Sequence, residues 1–165
     1  MKKLFLLSVF AIGFVSFSSA QEIAENALGL RLGDSDGFGT EVTYQRALGD
    51  NNRLEVDLGW RSGNNYDGFK LAGLYQWVWN IDGGFNWYAG AGGGLGTISL
   101  DDDFPGRNNF DDDSETFIFA AGQVGIEYNF DIPLLLSLDV RPEFYFGDFR
   151  DGNDLDIALG IRYQF

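Results

Sequence analysis

The chain has 165 residues, with 25 acidic and 11 basic side chains and a net charge of −14. It contains neither cysteine nor histidine, which excludes disulfide frameworks, thiolate nucleophiles, zinc fingers and histidine-dependent catalytic triads. A content of 45 % hydrophobic and 16 % aromatic residues predicts a folded domain, and the acidic balance argues against a nucleic-acid partner, which needs clustered Lys and Arg.

Residues 1–20 have the pattern of a secretory signal peptide. Two lysines precede an apolar run over residues 4–17, and small residues follow at the expected cleavage positions. The run is shorter than the roughly 20 apolar residues that a membrane-spanning helix needs, and no cysteine follows it to carry a lipid. We therefore predict removal of residues 1–20, a short lead over 21–26 and a single domain over 27–165.

After the lead, apolar and polar residues alternate over segments of about ten residues, which is the period of a β-strand. No helical stripe competes with this pattern. Eight segments are bounded, in chain order, by the apolar residues Leu28 and Leu32, Phe38 and Tyr44, Leu54 and Trp60, Phe69 and Trp79, Phe85 and Leu95, Ile118 and Tyr128, Leu134 and Phe146, and Leu155 and Phe165. Eight strands of this kind predict an all-β fold, a closed antiparallel up-and-down transmembrane barrel.

The predicted connections differ in length between the two ends of the barrel. Those at one end are short, at residues 49–52, 81–84 and 129–133, whereas those at the other end are residues 34–37, 62–68, 101–115 and 147–154. Short turns at one end and mostly longer loops at the other are typical of outer-membrane barrels, whose short turns face the periplasm. The first connection, at 34–37, departs from this pattern because it is short.

Alternation alone does not decide which face points inward, because soluble lipocalin-type barrels and membrane barrels share the same period. The polar faces of the strands carry seven acidic and six basic residues, although the chain as a whole is strongly acidic. A confined interior needs such a balance, since an unpaired buried charge is costly. The predicted lumen charge network, which plugs the barrel with salt bridges, consists of Arg31, Glu41, Arg53, Glu55, Asp57, Arg61, Lys70, Glu127, Asp139, Arg141, Glu143, Asp156 and Arg162.

Aromatic residues gather near the ends of the predicted strands. Trp and Tyr concentrate where a membrane meets water, because one part of the ring is apolar and the other is polar. The predicted membrane-interface aromatics are Trp60, Trp77, Trp79, Trp87, Tyr128, Tyr163 and Phe165. Their positions favour a membrane barrel over a soluble one.

Residues 27–165 resemble the small eight-stranded outer-membrane barrels of the OmpX kind and the barrel domain of OmpA. The most specific element is the final segment LDIALGIRYQF, with alternating apolar residues and a terminal aromatic at Phe165. The resemblance implies a location in the outer membrane of a Gram-negative bacterium, contact with outer-membrane lipid and lipopolysaccharide, and recognition of the last strand by the barrel-assembly machinery. Small barrels of this class include lipid-modifying enzymes that use histidine, which this chain lacks, so we predict no enzymatic activity.

Two local features carry further predictions. Pro142 lies within the seventh segment, where its missing N–H removes a ladder bond, so we expect a β-bulge that shifts the alternation near Arg141 and Glu143. In the fifth segment Gly90, Gly92, Gly94 and Gly96 are expected to point inward and to leave room for Tyr88 and the arginines. The glycine-rich run is not a phosphate loop, because no lysine and no helix follow it.

The third long connection is the most acidic part of the chain. Carboxylates in such number suit Ca²⁺ or Mg²⁺, which prefer oxygen ligands, although a solvated acidic loop is the simpler alternative. The residues of this predicted metal site are Asp101, Asp102, Asp103, Asp111, Asp112, Asp113 and Glu115. We hypothesise that these loops share divalent cations with the lipopolysaccharide surface or with a partner.

Three functions are compatible with the sequence. The first is a membrane barrel with a plugged lumen and acidic surface loops, in a structural or surface-interaction role. The second is a narrow porin-like channel for small solutes, which single-channel conductance would reveal. The third is a secreted lipocalin-like binder of an apolar ligand, which would be soluble without detergent and would turn its apolar face inward.

Overall fold

The computed structural model describes residues 23–33, 39–62, 66–100, 114–146 and 152–165. The described residues contain no helix that is long and apolar enough to cross a membrane. The strands are β1 (Asn26–Leu32), β2 (Thr40–Ala47), β3 (Asn52–Ser62), β4 (Tyr66–Asp82), β5 (Phe85–Leu100), β6 (Ser114–Asn129), β7 (Leu134–Phe146) and β8 (Gly152–Gln164). The predicted signal peptide and Phe38 lie outside the described residues.

Each strand pairs antiparallel with the next one in the chain, and β1 pairs with β8 from Ala27–Gln164 to Leu32–Leu159. This last pairing closes the barrel, so that no strand has a free edge. The predicted antiparallel up-and-down barrel of eight strands is therefore confirmed. We call the end where residues 48–51, 83–84 and 130–133 join the strands the turn end, and the opposite end the loop end.

The apolar faces of the strands point out of the barrel and the polar faces point in. In β7, Val140 and Phe144 are exposed on the outside, while Arg141 and Glu143 between them and Asp139 just before them are buried. This arrangement is the reverse of a soluble barrel, whose interior is apolar. The described strands therefore contradict the inward apolar face that the lipocalin-like alternative requires.

Strand β7 continues through Pro142 without a β-bulge. The β6–β7 ladder is interrupted beside Pro142, but the register is the same on both sides of the gap, with Ala121 opposite Glu143 and Val124 opposite Val140. The burial alternation of β7 also continues through the proline. The predicted bulge is wrong because the missing N–H removes a ladder bond without adding a residue. A register shift occurs instead between Asn80 and Asp82, beside a turn.

Candidate functional site

The barrel interior is the candidate functional site, because it holds most of the ionisable side chains that the strands carry. Twelve of the thirteen residues predicted for the charge network are at most 4 % exposed. They are Arg31, Glu41, Arg53, Glu55, Asp57, Lys70, Glu127, Asp139, Arg141, Glu143, Asp156 and Arg162. They form three connected groups along the barrel axis.

The turn-end group begins at Arg53. Its two terminal guanidinium nitrogens donate to the two oxygens of Glu127 at 3.1 and 2.7 Å, and its Nε donates to Gln76 at 2.5 Å. The Gln76 amide donates to Gln123 at 2.6 Å, and the Gln123 amide donates to Glu55 at 3.1 Å. This chain of donors and acceptors crosses the barrel beneath a polar recess at its turn end.

Glu55 links the turn-end group to Arg162. It accepts from the Gln45 amide at 2.5 Å and from Arg162 at 3.0 Å. Arg162 also donates to Ser137 at 2.7 Å and to Thr43 at 3.2 Å. Both charged groups therefore have full sets of partners, as burial away from water requires.

The central group is built around Arg31. Its guanidinium donates to Asp139 at 2.6 Å, to Glu41 at 2.9 Å and to Asp156 at 2.5 Å. The second oxygen of Asp139 accepts from the Tyr88 hydroxyl at 3.2 Å. One arginine thus joins carboxylates from three strands, and such charge-assisted bonds are stronger than neutral ones.

The loop-side group is built around Arg141 and shares Glu41 with the central group. Arg141 donates to Glu41 at 2.7 and 2.9 Å and to Asp57 at 2.9 Å, and its Nε lies 2.8 Å from Glu143. Lys70 donates to both oxygens of Glu143, at 2.6 and 2.8 Å. The ion pairs of the central and loop-side groups therefore form one network.

An apolar layer lies inside the barrel next to the loop-side group, and the sequence analysis did not predict it. We define the apolar layer as Ala72, Leu74, Phe117, Phe119, Ala121 and Tyr145, all at most 6 % exposed. The Tyr145 ring packs 5.5 Å from the Phe117 ring and 5.4 Å from the Phe119 ring, between centroids. Lys70 Nζ lies 4.9 Å from the Phe119 centroid, and the Tyr145 hydroxyl donates to Glu143, so the two layers are in direct contact.

The room for these rings comes from two glycines of β5. A Cβ at Gly94 would lie 2.6 Å from the Phe119 ring, and a Cβ at Gly96 would collide with the Phe117 ring. A side chain at either position would thus displace the apolar layer. The sequence feature that could have predicted the apolar layer is the glycine run of β5, followed by a strand with two phenylalanines at inward positions.

The expectation that the β5 glycines accommodate Tyr88 and the arginines is wrong. Gly90 faces Gln76, and Gly92 packs against the backbone of β4. The space for Tyr88 comes from Gly125 of the neighbouring β6, where a Cβ would lie 2.5 Å from the Tyr88 ring. The glycine that makes room for Tyr88 lies on β6 because Tyr88 and Gly125 are cross-strand neighbours on the same face of the sheet.

Arg61 is the one predicted member of the charge network that is exposed. It lies one residue before the end of β3 at the loop end, and its side chain is exposed. The alternation places Arg61 on the inward face of β3, but at this end of the strand the inward face is no longer enclosed by the barrel. Among the described residues, the lumen network therefore contains seven carboxylates and five cationic groups.

The predicted membrane-interface aromatics all lie on the outer surface of the barrel. Trp60 is near the loop end, and Trp77, Trp79, Trp87, Tyr128, Tyr163 and Phe165 are near the turn end. The rings of Trp79 and Trp87 stack with centroids 4.3 Å apart. Phe85 packs edge-on against Tyr128 at 4.5 Å, which continues the aromatic girdle around the barrel.

The predicted metal site falls largely outside the described residues, which include only Glu115 of its seven members, an exposed residue near the start of β6. Within the described ranges, no group of three or more acidic side chains is arranged to hold a metal ion. The cation hypothesis stays a prediction. Calorimetric titration of the folded barrel with Ca²⁺ is expected to show binding heat that Asp→Asn replacement at 101–103 and 111–113 removes. Absence of any calcium-dependent heat would contradict it.

Comparison with solved structures places the barrel among known folds. It is similar to the N-terminal β-barrel domain of OprF from Pseudomonas aeruginosa, with a TM-score of 0.62, 13 % identity, and coverage of 85 % of this chain and 95 % of that domain. Neisserial surface protein A matches with a TM-score of 0.58, 13 % identity and coverage of 85 % and 93 %. Ail, the attachment invasion locus protein of Yersinia pestis, matches with a TM-score of 0.56, 15 % identity and coverage of 85 % and 96 %.

No protein-family model and no curated protein matches this sequence. At 13–15 % identity, the structural likeness concerns the fold alone. The resemblance to small eight-stranded outer-membrane barrels is thereby confirmed for the fold.

Proposed function

We propose that this protein is an integral barrel of the bacterial outer membrane whose lumen is closed to solutes, and that it acts in a structural or surface-interaction role. The observation that carries the proposal is the inverted distribution of side chains. Large apolar residues such as Val124 and Ile157 are 57 % and 53 % exposed on the outside, while Glu55, Lys70 and Arg162 are fully buried inside. An apolar outer surface of this kind is favourable when it is surrounded by lipid.

The aromatic girdle supports the same location. Rings at both ends of the outer surface match the two interfaces of a bilayer, where Trp and Tyr are most stable. On this orientation the turn end faces the periplasm and the loop end faces outward, which presents the acidic connections to lipopolysaccharide and to surface partners. The last strand, with exposed Leu159, Ile161 and Phe165, is the segment offered to the barrel-assembly machinery.

Two stacked barriers support a closed lumen. The charge network bridges the barrel with short ion pairs, and the apolar layer fills the section next to it with packed rings. An ion that passed would have to displace partnered charges and then enter a section without polar partners, and each step is costly. An eight-stranded barrel is only wide enough for its own side chains, so the narrow-channel alternative needs both barriers to open.

We propose no catalytic activity for this barrel. The lumen carboxylates Glu127, Glu143 and Glu41 accept hydrogen bonds from arginine or lysine, so ion pairs already engage them. The role we assign is therefore carried by the outer surface and the loop end.

Single-channel conductance in planar bilayers tests the closed lumen. The wild-type barrel is expected to stay silent, whereas a variant combining Phe117→Ala and Phe119→Ala with Arg141→Met should show openings, because it removes the rings of the apolar layer and weakens the charge network. A matched control is Ile118→Ala, which shortens the residue between them on the outer face and should leave the barrel silent. Steady openings of the wild-type barrel would favour the porin-like channel instead.

A further inference from the structure

Asp57 differs from the other carboxylates of the lumen network. It is 0 % exposed, and its Oδ2 accepts from Arg141 at 2.9 Å. Its Oδ1 is the one buried carboxylate oxygen, among the side chains that the structure describes, without a hydrogen-bond donor. A buried charged oxygen left without a partner is costly, so the site calls for a further positive or proton-donating group.

Asp139 provides the comparison within the same lumen. Its Oδ1 accepts from Arg31 and its Oδ2 accepts from the Tyr88 hydroxyl, so both oxygens are satisfied by the protein itself. Both aspartates are buried, and both bind one arginine. Asp139 accepts two bonds from Arg31 and one from Tyr88, whereas Asp57 accepts one bond from Arg141 and keeps an unpartnered oxygen.

The charge inventory of the lumen points the same way. Among the residues that the structure describes, the buried charged side chains of the lumen are seven carboxylates and five cationic groups. The charged groups around Asp57 are Glu55 on its own strand, Glu41 on β2, Lys70 on β4, Arg31 on β1, and Arg141 and Glu143 on β7. Arg141 is the cation that contacts Asp57, and it is shared with Glu41 and Glu143.

We propose that the folded lumen holds one additional proton, on the Asp57 carboxyl group. Protonation removes the negative charge from the carboxyl group whose Oδ1 has no donor, and it reduces the negative excess among the buried side chains of the lumen. The site belongs to the interior of the barrel and does not depend on whether the lumen conducts or where the protein is located.

The test compares wild type with Asp57→Asn and Asp139→Asn by urea unfolding in detergent micelles. Asparagine keeps the shape of aspartate, removes one negative charge and adds an N–H₂ donor. Because the bound proton already neutralises Asp57, Asp57→Asn is expected to have a urea midpoint no lower than that of wild type. Asp139→Asn is expected to have a lower midpoint, because it takes a charge from the satisfied pair with Arg31.

The pH dependence of stability tests the proton directly. A proton held only by the folded barrel makes wild-type stability fall as pH rises above the ordinary carboxyl range, with the unfolding constant changing relative to Asp57→Asn by about tenfold per pH unit. If Asp57→Asn loses as much stability as Asp139→Asn, or if wild type and Asp57→Asn share the same pH dependence, the proposal is wrong.

Discussion

Replacing Arg141 by methionine is expected to lower the free energy of unfolding by about 3–5 kcal/mol, the cost of removing one partner from a buried ion pair. Arg141 contacts Asp57, Glu41 and Glu143, and all four groups are at most 2 % exposed. Methionine fills much of the same space but leaves these carboxylates short of a cation. Urea unfolding of the folded barrel in detergent micelles measures the loss.

The control for this prediction is Arg46→Met. Arg46 pairs with Glu25 at 2.9 Å at the turn end, where the two side chains are 46 % and 70 % exposed. An exposed pair of this kind contributes at most about 1 kcal/mol, so the variant should unfold close to wild type. Equal losses from the two replacements would show that the buried network has no special part in the stability of the barrel.

Replacing Val124 by arginine is expected to cost about 2–4 kcal/mol of folding free energy in a bilayer, the cost of a cationic side chain near the midplane of a membrane barrel. Val124 is 57 % exposed on the outer face of β6, with Ala89 and Val140 beside it on the neighbouring strands. The free energy of folding into lipid vesicles, measured by urea titration, gives the cost. A barrel surrounded by water would tolerate this change almost without loss.

Ser114→Arg is the matched control, because Ser114 lies on the same face of the same strand at the loop end. There the arginine reaches the membrane surface, where its cost falls to about 0–1 kcal/mol. A large difference between the two positions would establish the depth dependence that lipid imposes. Similar small costs at both positions would contradict the outward orientation toward lipid.

The sequence predicted the barrel because its period is strong and continuous. Leu155, Ile157 and Leu159 alternate with small and polar residues over the last strand, and the structure exposes all three on the outside. The burial of the charged residues follows from the same alternation, since a single inward residue fixes every second position after it. The alternation of apolar and polar residues therefore predicted both the fold and most of the residues that point into the barrel.

The errors arise where period alone does not describe the surroundings. Arg61 keeps the inward phase of β3 but lies at the loop end, where inward no longer means enclosed. Pro142 removes a ladder bond without inserting a residue, and the pairing of β7 with β8 holds it in register. A local sequence reports neither the height of a residue in the barrel nor the support it receives from its neighbours.

The apolar layer was missed for a related reason. The glycines of β5 are visible in the sequence, but which side chains occupy the space beside them depends on the register between β5 and β6. That register places Phe119 opposite Gly94 and Phe117 opposite Gly96. The length of the connection between the two strands, residues 101–113 of the sequence, gives no value for their offset.

The most direct test of the account is the electrophoretic mobility of the protein taken from the outer-membrane fraction, with and without heating in detergent. The unheated protein is expected in that fraction and should migrate differently from the heated protein, because a closed barrel with a lipid-facing exterior stays folded in detergent until it is heated. Recovery in the soluble fraction, with the same mobility before and after heating, would contradict the membrane barrel and every orientation that depends on it.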